Sequence, residues 1–267
     1  MPQISSAGVE INYETHGHGD PLLLIMGFGM PGVAWAPLLP CFPDFECIYF
    51  DNRGTGLSGR SDGPYTVSEM ALDASNLISA LGLERVQVYG ISMGGMIAQE
   101  LALRHPEQVS KVVLGCTTPG GPESERASDK ILQSLVEGSK LMALDPDAGI
   151  DIVMPLLYTP EFIAAHPELK QFMRFGMSLA PLTPPETVDK LAMGLAEFNA
   201  FDRLDEIACP VMIVHGEKDI VVPPANAALI KDRIRDAALF MIPEAGHNYP
   251  AFDPFGIHQR ITGWLRN

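Results

Sequence analysis

Val86-Gln87-Val88-Tyr89-Gly90-Ile91-Ser92-Met93-Gly94-Gly95-Met96-Ile97 is the stretch on which the reading of this chain turns. Residues 86–89 form a short, mostly apolar run of the kind that suits a strand buried on both faces. From Met93 to Arg104 the pattern becomes helical, and His105-Pro106 ends it, because the residue before a proline avoids helical backbone. Between strand and helix stands Gly90-x-Ser92-x-Gly94, a sharp bend where a side chain at either glycine would collide with neighbouring backbone. The bend puts the Ser92 hydroxyl at the carboxyl edge of a sheet. There it overlies a helix N-terminus, whose partial positive charge favours a developing anion.

Outward from this bend the same alternation repeats. Apolar runs at 22–26, 47–50, 112–114, 211–214 and 239–242 read as further strands, and residues 3–15 read as an opening hairpin turning at Ala7-Gly8. Helical patterns lie between the runs. Val67, Met70, Ala71, Ala74, Leu77, Ile78 and Leu81 share one helix face, with a capping box at Thr66 and Glu69 and a stop at Gly82. A last helix is expected over 255–265. Strands alternating with helices predict an α/β fold, a mostly parallel central sheet of about eight strands flanked by helices. Between 117 and about 195 the alternation stops. Apolar helical segments broken by Pro155, Pro160, Pro167, Pro181, Pro184 and Pro185 fill the interval. The expected organisation is a core from 1–118 and 196–267 with a helical cap inserted at 119–195. The Ser/Gly/Pro-rich segment 117–128 reads as a flexible exit from the sheet.

Composition excludes several classes. With 267 residues, 46% hydrophobic and 19% charged, the chain has ordinary globular usage rather than that of a disordered one. Acidic residues outnumber basic ones 33 to 18, a net charge of −15 that repels phosphate backbones and anionic lipid, and no basic patch offsets it. Neither a nucleic-acid nor a membrane partner is expected. The uncharged segment 21–43 is long enough to mimic a membrane span. Pro31, Pro37 and Pro40 with Gly27, Gly29 and Gly32 would break a helix through it, so it reads as strand, loop and short helix. Cys41, Cys47, Cys116 and Cys209 form no CxxC pair, and Met1-Pro2-Gln3-Ile4 opens no secretory signal. Reduced thiols and a cytoplasmic location are the expectation.

A serine hydroxyl needs a base to become a nucleophile. Of seven histidines, His247 lies in Pro243-Glu244-Ala245-Gly246-His247, just after the run 239–242 and so at the same sheet edge as Ser92. His105 ends a helix, His215 directly follows a strand, His258 falls within the last helix, and His16 and His18 flank a turn glycine. The base in turn needs an acid to hold its tautomer. His215-Gly216-Glu217-Lys218-Asp219 follows the run 211–214, with Asp219 the better candidate and Glu217 the runner-up. The chain order Ser, Asp, His is that of the nucleophile-elbow enzymes.

Ser92 in Gly-x-Ser-x-Gly, Asp219 in His-Gly-x-x-Asp and His247 in Ala-Gly-His together resemble the α/β-hydrolase superfamily. Asp51-Asn52-Arg53-Gly54-Thr55-Gly56-Leu57-Ser58 resembles the D-x-R-G-x-G-x-S loop found there, and 21–29 resembles its strand and oxyanion loop. The resemblance implies a catalytic triad of Ser92, Asp219 and His247 beneath the cap, and an oxyanion hole of the Phe28 and Met93 backbone N–H groups. Met26 stands where that family usually has histidine, which leaves a backbone donor unaffected. Asp51 and Arg53 read as a turn held by charge-assisted hydrogen bonds. Similar dehalogenases and epoxide hydrolases attack through a carboxylate, and the latter use two cap tyrosines where this cap has only Tyr158. Aminopeptidase-like members usually carry tryptophan where this chain has Met93.

The implied reaction is ester hydrolysis through an acyl-serine intermediate, on short-to-medium acyl chains and carboxylesterase-like. Enol-lactonase, carbon–carbon bond (meta-cleavage product) hydrolase, perhydrolase-type activity and a slow-turnover ligand-binding protein are the alternatives. Met142, Met154, Met173, Met177 and Met193 with Phe162, Phe172 and Phe175 could line an adaptable apolar pocket or simply pack cap on core. No metal or cofactor is implied. The expected partner is a small-molecule ester.

Overall fold

Eight strands make one sheet in the computed structural model, which describes residues 2–63, 65–251 and 256–267. β1 (Gln3–Ser6) and β2 (Val9–Gly17) form the antiparallel hairpin, turning at Ala7 and Gly8 with φ of 46° and 81°. β3 (Asp20–Ile25), β4 (Phe45–Phe50), β5 (Val86–Ile91), β6 (Val109–Gly115), β7 (Val211–Gly216) and β8 (Ala238–Ile242) are mutually parallel, while β2 runs antiparallel to β4. The order across the sheet is β1-β2-β4-β3-β5-β6-β7-β8. Every residue of β5 and β7 is buried, which is why their sequences do not alternate.

α1 (Val67–Ala80) starts at the capping box: the Glu69 N–H donates to Thr66 Oγ1 (3.2 Å), and the Thr66 N–H donates to Glu69 Oε2 (3.1 Å). α2 (Met93–Arg104) follows β5. Between β6 and β7 lie α3 (Asp129–Met142), α4 (Pro146–Leu157), α5 (Pro160–Ala165), α6 (Leu169–Met177) and α7 (Pro185–Ala196). α8 (Ala225–Arg233) and α9 (Ile257–Arg266) complete the chain. α9 begins after Gly256 at φ 63°, and Phe255, where the sequence places its start, lies outside the described residues.

The two faces of the sheet are covered differently. One packs α1, α2 and α8 through Met70, Leu77, Ile97, Leu101 and Ile230. The other packs α9 and a 3-10 helix over Gly32–Cys41 through Trp35, Phe42, Tyr89 and Ile261. Pro37 and Pro40 lie inside that 3-10 segment, so the uncharged stretch after β3 turns tightly over the sheet. No helix of the described residues is long and apolar enough to cross a membrane.

The exit from β6 differs from expectation: it is pinned. Gly120 bridges Asn199 in antiparallel fashion, the Ala200 N–H donates to the Pro119 carbonyl (2.8 Å), and the Gly121 N–H donates to the Phe198 carbonyl (3.2 Å). Farther along, the buried Asn226 donates through Nδ2 to the Glu125 carbonyl (2.9 Å) and accepts from the Glu125 N–H (3.1 Å). Ser, Gly and Pro here serve tight turns and close approach rather than freedom of movement.

Asp51 and Arg53 both face structural partners. Asp51 Oδ1 accepts from the Gly32 N–H (2.7 Å), and Oδ2 accepts from the Leu57 N–H (2.8 Å) and Asn12 Nδ2 (3.0 Å). Arg53 forks onto Asp73 through Nε (2.8 Å) and Nη2 (2.9 Å), joining this loop to α1 with both side chains buried.

Candidate active site

Ser92 sits at φ 53° and ψ −119°, a left-handed conformation that a serine adopts only where its surroundings hold it. They hold it tightly. The Ser92 N–H donates to the Gly115 carbonyl (2.8 Å), and the Ser92 carbonyl accepts from the Gly95 N–H (2.9 Å) and Thr117 Oγ1 (2.8 Å). A Cβ at Gly90 would lie 2.9 Å from the Gly95 nitrogen, and one at Gly94 would lie 2.7 Å from the Ile25 carbonyl carbon. The bend can therefore form only with hydrogen at both positions.

His247, in the loop after β8, reaches Ser92 and Asp219 together. Ser92 Oγ lies 3.0 Å from His247 Nε2, and Asp219 Oδ2 lies 2.7 Å from His247 Nδ1. A carboxylate can only accept, so Nδ1 carries the proton and donates to Asp219, which leaves Nε2 to accept from the Ser92 hydroxyl. Asp219 Oδ1 is occupied by the Val221 and Val222 N–H groups (2.9 Å each), fixing the carboxylate plane. His215, fully buried, donates through Nε2 to the Val222 carbonyl (2.9 Å) and lies 3.2 Å from Asp219 Oδ2. Burial acts to raise the Asp219 pKa, but electrostatic attraction to the adjacent His247 ring and hydrogen bonds from His215 and His247 outweigh it. The carboxyl is held well below the usual carboxylate range.

Glu217, the alternative acid, is exposed. Of the other histidines, His258 is buried edge-on to Phe42 (5.9 Å between centroids), while His16 and His18 are exposed. Among the described residues no group of His, Cys, Asp and Glu is arranged to hold a metal ion, and no disulfide joins the four cysteines.

Ser92 and His247 open onto a cavity of about 210 Å³. Its walls come from the loop after β3 (Met26, Phe28, Met30), the 3-10 segment (Ala34, Leu38) and the inserted helices (Leu135, Met142, Val153, Phe172, Met173, Met177). Among the described residues Asp, Glu, Lys and Arg contribute nothing to the lining. Of the cap residues singled out from sequence, Met142, Met173, Met177 and Phe172 reach the cavity. Met154, Met193, Phe162 and Phe175 are not in its wall: Phe162 stacks on Tyr158 (5.4 Å), and Met193 and Phe175 are exposed. Sequence reasoning did not place Asn248 or Tyr158 in the site, although both line it and bond each other. The signal available was Asn248's position directly after His247.

Phe28 lines the cavity, and a Cβ at the preceding Gly27 would stand 3.3 Å from Ser92 Cβ, so this loop lies against the serine. Met93 opens α2, where first-turn N–H groups lack intrahelical partners. Thr183 Oγ1 donates to the Gly29 carbonyl (2.7 Å), tying the inserted segment to the same loop. Met26, where histidine is usual, is buried, and its carbonyl accepts from Asn52 Nδ2 (3.2 Å).

The chain belongs to the alpha/beta hydrolase fold family, whose profile matches residues 20–254. It is 28% identical over 267 residues to a protein of Azorhizobium caulinodans provisionally named carbamate hydrolase RutD, covering 99% of this chain and 98% of the other. A Mycobacterium tuberculosis protein provisionally named non-heme bromoperoxidase BpoC is 28% identical over 255 residues, covering 90% and 91% of the two chains. Among solved structures, a thermophilic esterase from Thermogutta terrifontis superposes with a TM-score of 0.82 at 26% identity, over 99% of this chain and 97% of that one. By fold and relatives the chain is a hydrolase.

Proposed function

We propose that the protein is a serine hydrolase that cleaves carboxylic esters of short-to-medium acyl chains through an acyl-serine intermediate. One observation carries this reading: His247 spans Ser92 (3.0 Å) and Asp219 (2.7 Å) at the wall of an apolar cavity. Ser92 Oγ attacks the ester carbonyl carbon while His247 Nε2 takes its proton. The Phe28 and Met93 N–H groups stabilise the oxyanion, and collapse of the tetrahedral species passes the proton from His247 to the departing alcohol. Water then enters. His247 removes its proton, and the acyl-serine is hydrolysed to carboxylate and free Ser92. Asp219 holds the imidazole in the tautomer this shuttle needs and offsets the imidazolium charge. The inserted helices act as a cap over 119–195, and the core is completed by 1–118 and 196–267. The names carbamate hydrolase and esterase among the similar proteins differ in the acyl substituent and leaving group, and the same attack on a carbonyl serves both.

The test is release of p-nitrophenol from p-nitrophenyl butanoate by the wild type and Ser92→Ala. Loss of at least about 10³-fold in kcat is expected for the variant, together with a butanoyl adduct on Ser92 when the wild type is quenched in acid. Full activity in Ser92→Ala would remove Ser92 from the reaction.

A further inference from the structure

We propose that the Tyr158 hydroxyl, presented by Asn248 beside the base, is a specificity-determining donor to a neutral hydrogen-bond acceptor in the leaving group of the substrate. The proposal rests on the roles given above to Ser92 and His247 and specifies what their substrate carries. Asn248 directly follows His247, and its backbone N–H donates to the Leu157 carbonyl (2.9 Å), joining the base to the end of α4. Its side-chain Nδ2 donates to the Tyr158 hydroxyl (2.6 Å). A phenolic oxygen that accepts still has its own proton to give. Among the described residues no other group bonds that hydroxyl.

The proton is held out of bulk water. Tyr158 is 5% exposed and forms part of the cavity wall with Asn248, and its ring is fixed by stacking on Phe162 at 12° between planes. A buried donor without an acceptor is costly, so its natural partner arrives with the ligand. Burial raises the Tyr158 pKa and the Asn248 bond only partly offsets this, so the group acts as a donor throughout the working range.

The rest of the wall narrows the ligand class. Among the described residues no Asp, Glu, Lys or Arg lines the cavity, so a charged substituent would be desolvated there without a partner, whereas an ether or carbonyl oxygen would meet Tyr158. The side is set by His247. The departing oxygen must come within hydrogen-bond reach of Nε2, and Asn248 and Tyr158 continue the wall from there.

The test compares 2-methoxyethyl butanoate with n-butyl butanoate, near-isosteres that differ by one oxygen in the alcohol. Wild type should favour the methoxyethyl ester in kcat/KM by about fivefold or more over the ratio shown by Tyr158→Phe, a contrast in which intrinsic leaving-group acidity cancels. In Asn248→Asp the new carboxylate accepts the tyrosine proton, so the preference should fall although the hydroxyl remains. This variant decides the matter if Tyr158→Phe does not fold. One ratio shared by the wild type and both variants would overturn the proposal. So would discrimination confined to an acyl-side pair, n-butyl 3-methoxypropanoate against n-butyl pentanoate. Hydrolysis of either ester by Ser92→Ala would instead overturn the function on which the proposal rests.

Discussion

Gly94→Ala adds one methyl group at the most crowded point of the strand-to-helix bend. The new Cβ would lie 2.7 Å from the Ile25 carbonyl carbon, closer still to its oxygen, and 2.9 Å from the Met26 carbonyl oxygen. All three are backbone atoms of β3 and the loop that carries Phe28, so no side chain can swing aside. About 1 Å of extra separation between α2 and β3 has to be found. That movement draws Met93 and Ser92 away from Gly27 and Phe28, across the gap in which the proposed mechanism seats the carbonyl oxygen. A misplacement of about 1 Å in a catalytic constellation costs roughly 10²-fold in rate, and overpacking costs about 1–3 kcal/mol of stability. The assay is p-nitrophenyl butanoate turnover beside urea unfolding. kcat/KM should fall about 100-fold in a variant that still folds at 15 °C. Gly263→Ala is the matched control: nothing lies within 4 Å of its Cβ, so α9 should gain about 0.5–1 kcal/mol with activity unchanged. Wild-type activity and stability in Gly94→Ala would refute the steric account of the bend.

Two further outcomes follow from buried charge. Arg53→Met leaves the Asp73 carboxylate buried with its fork removed, and urea unfolding should show a loss of about 3–5 kcal/mol, with activity per folded molecule retained. Because Asp219 is held below the usual range, the unfolded chain binds a proton near pH ~4 that the folded chain refuses. Its contribution to stability is therefore full above pH ~4 and is lost as pH falls towards the folded value. Unfolding free energies at pH 5, 4 and 3 should drop more steeply for wild type than for Asp219→Asn, and equal slopes would count against a depressed Asp219.

The sheet was legible because strands buried on both faces must be apolar throughout, as in β5 and β7, and because the bend at Ser92 tolerates so few residues. The relative positions of Ser92, Asp219 and His247 followed from a topological rule: each lies just past the carboxyl end of a parallel strand. The cavity wall was less legible. Inserted helices lie between the core on one side and water on the other, with the cavity opening between them. A methionine such as Met193 therefore looks the same in sequence as Met173 while facing solvent. The exit from β6 was misread as flexible because its anchors are remote: Asn199 and Asn226 carry no local mark of the contacts they make. Asn248 and Tyr158 stand far apart in sequence, and no periodicity announces a pair.

The bridge between Gly120 and Asn199 brings the departing and returning segments of the chain side by side. From the vantage of β6 and β7, the whole helical excursion is equivalent to a tight hairpin, and closing it demands nothing further of the sheet. Its length and contents are thereby uncoupled from the framework beneath. A different excursion could be grafted onto the same two stems, retuning which molecules are admitted while the machinery at the rim stays as it is.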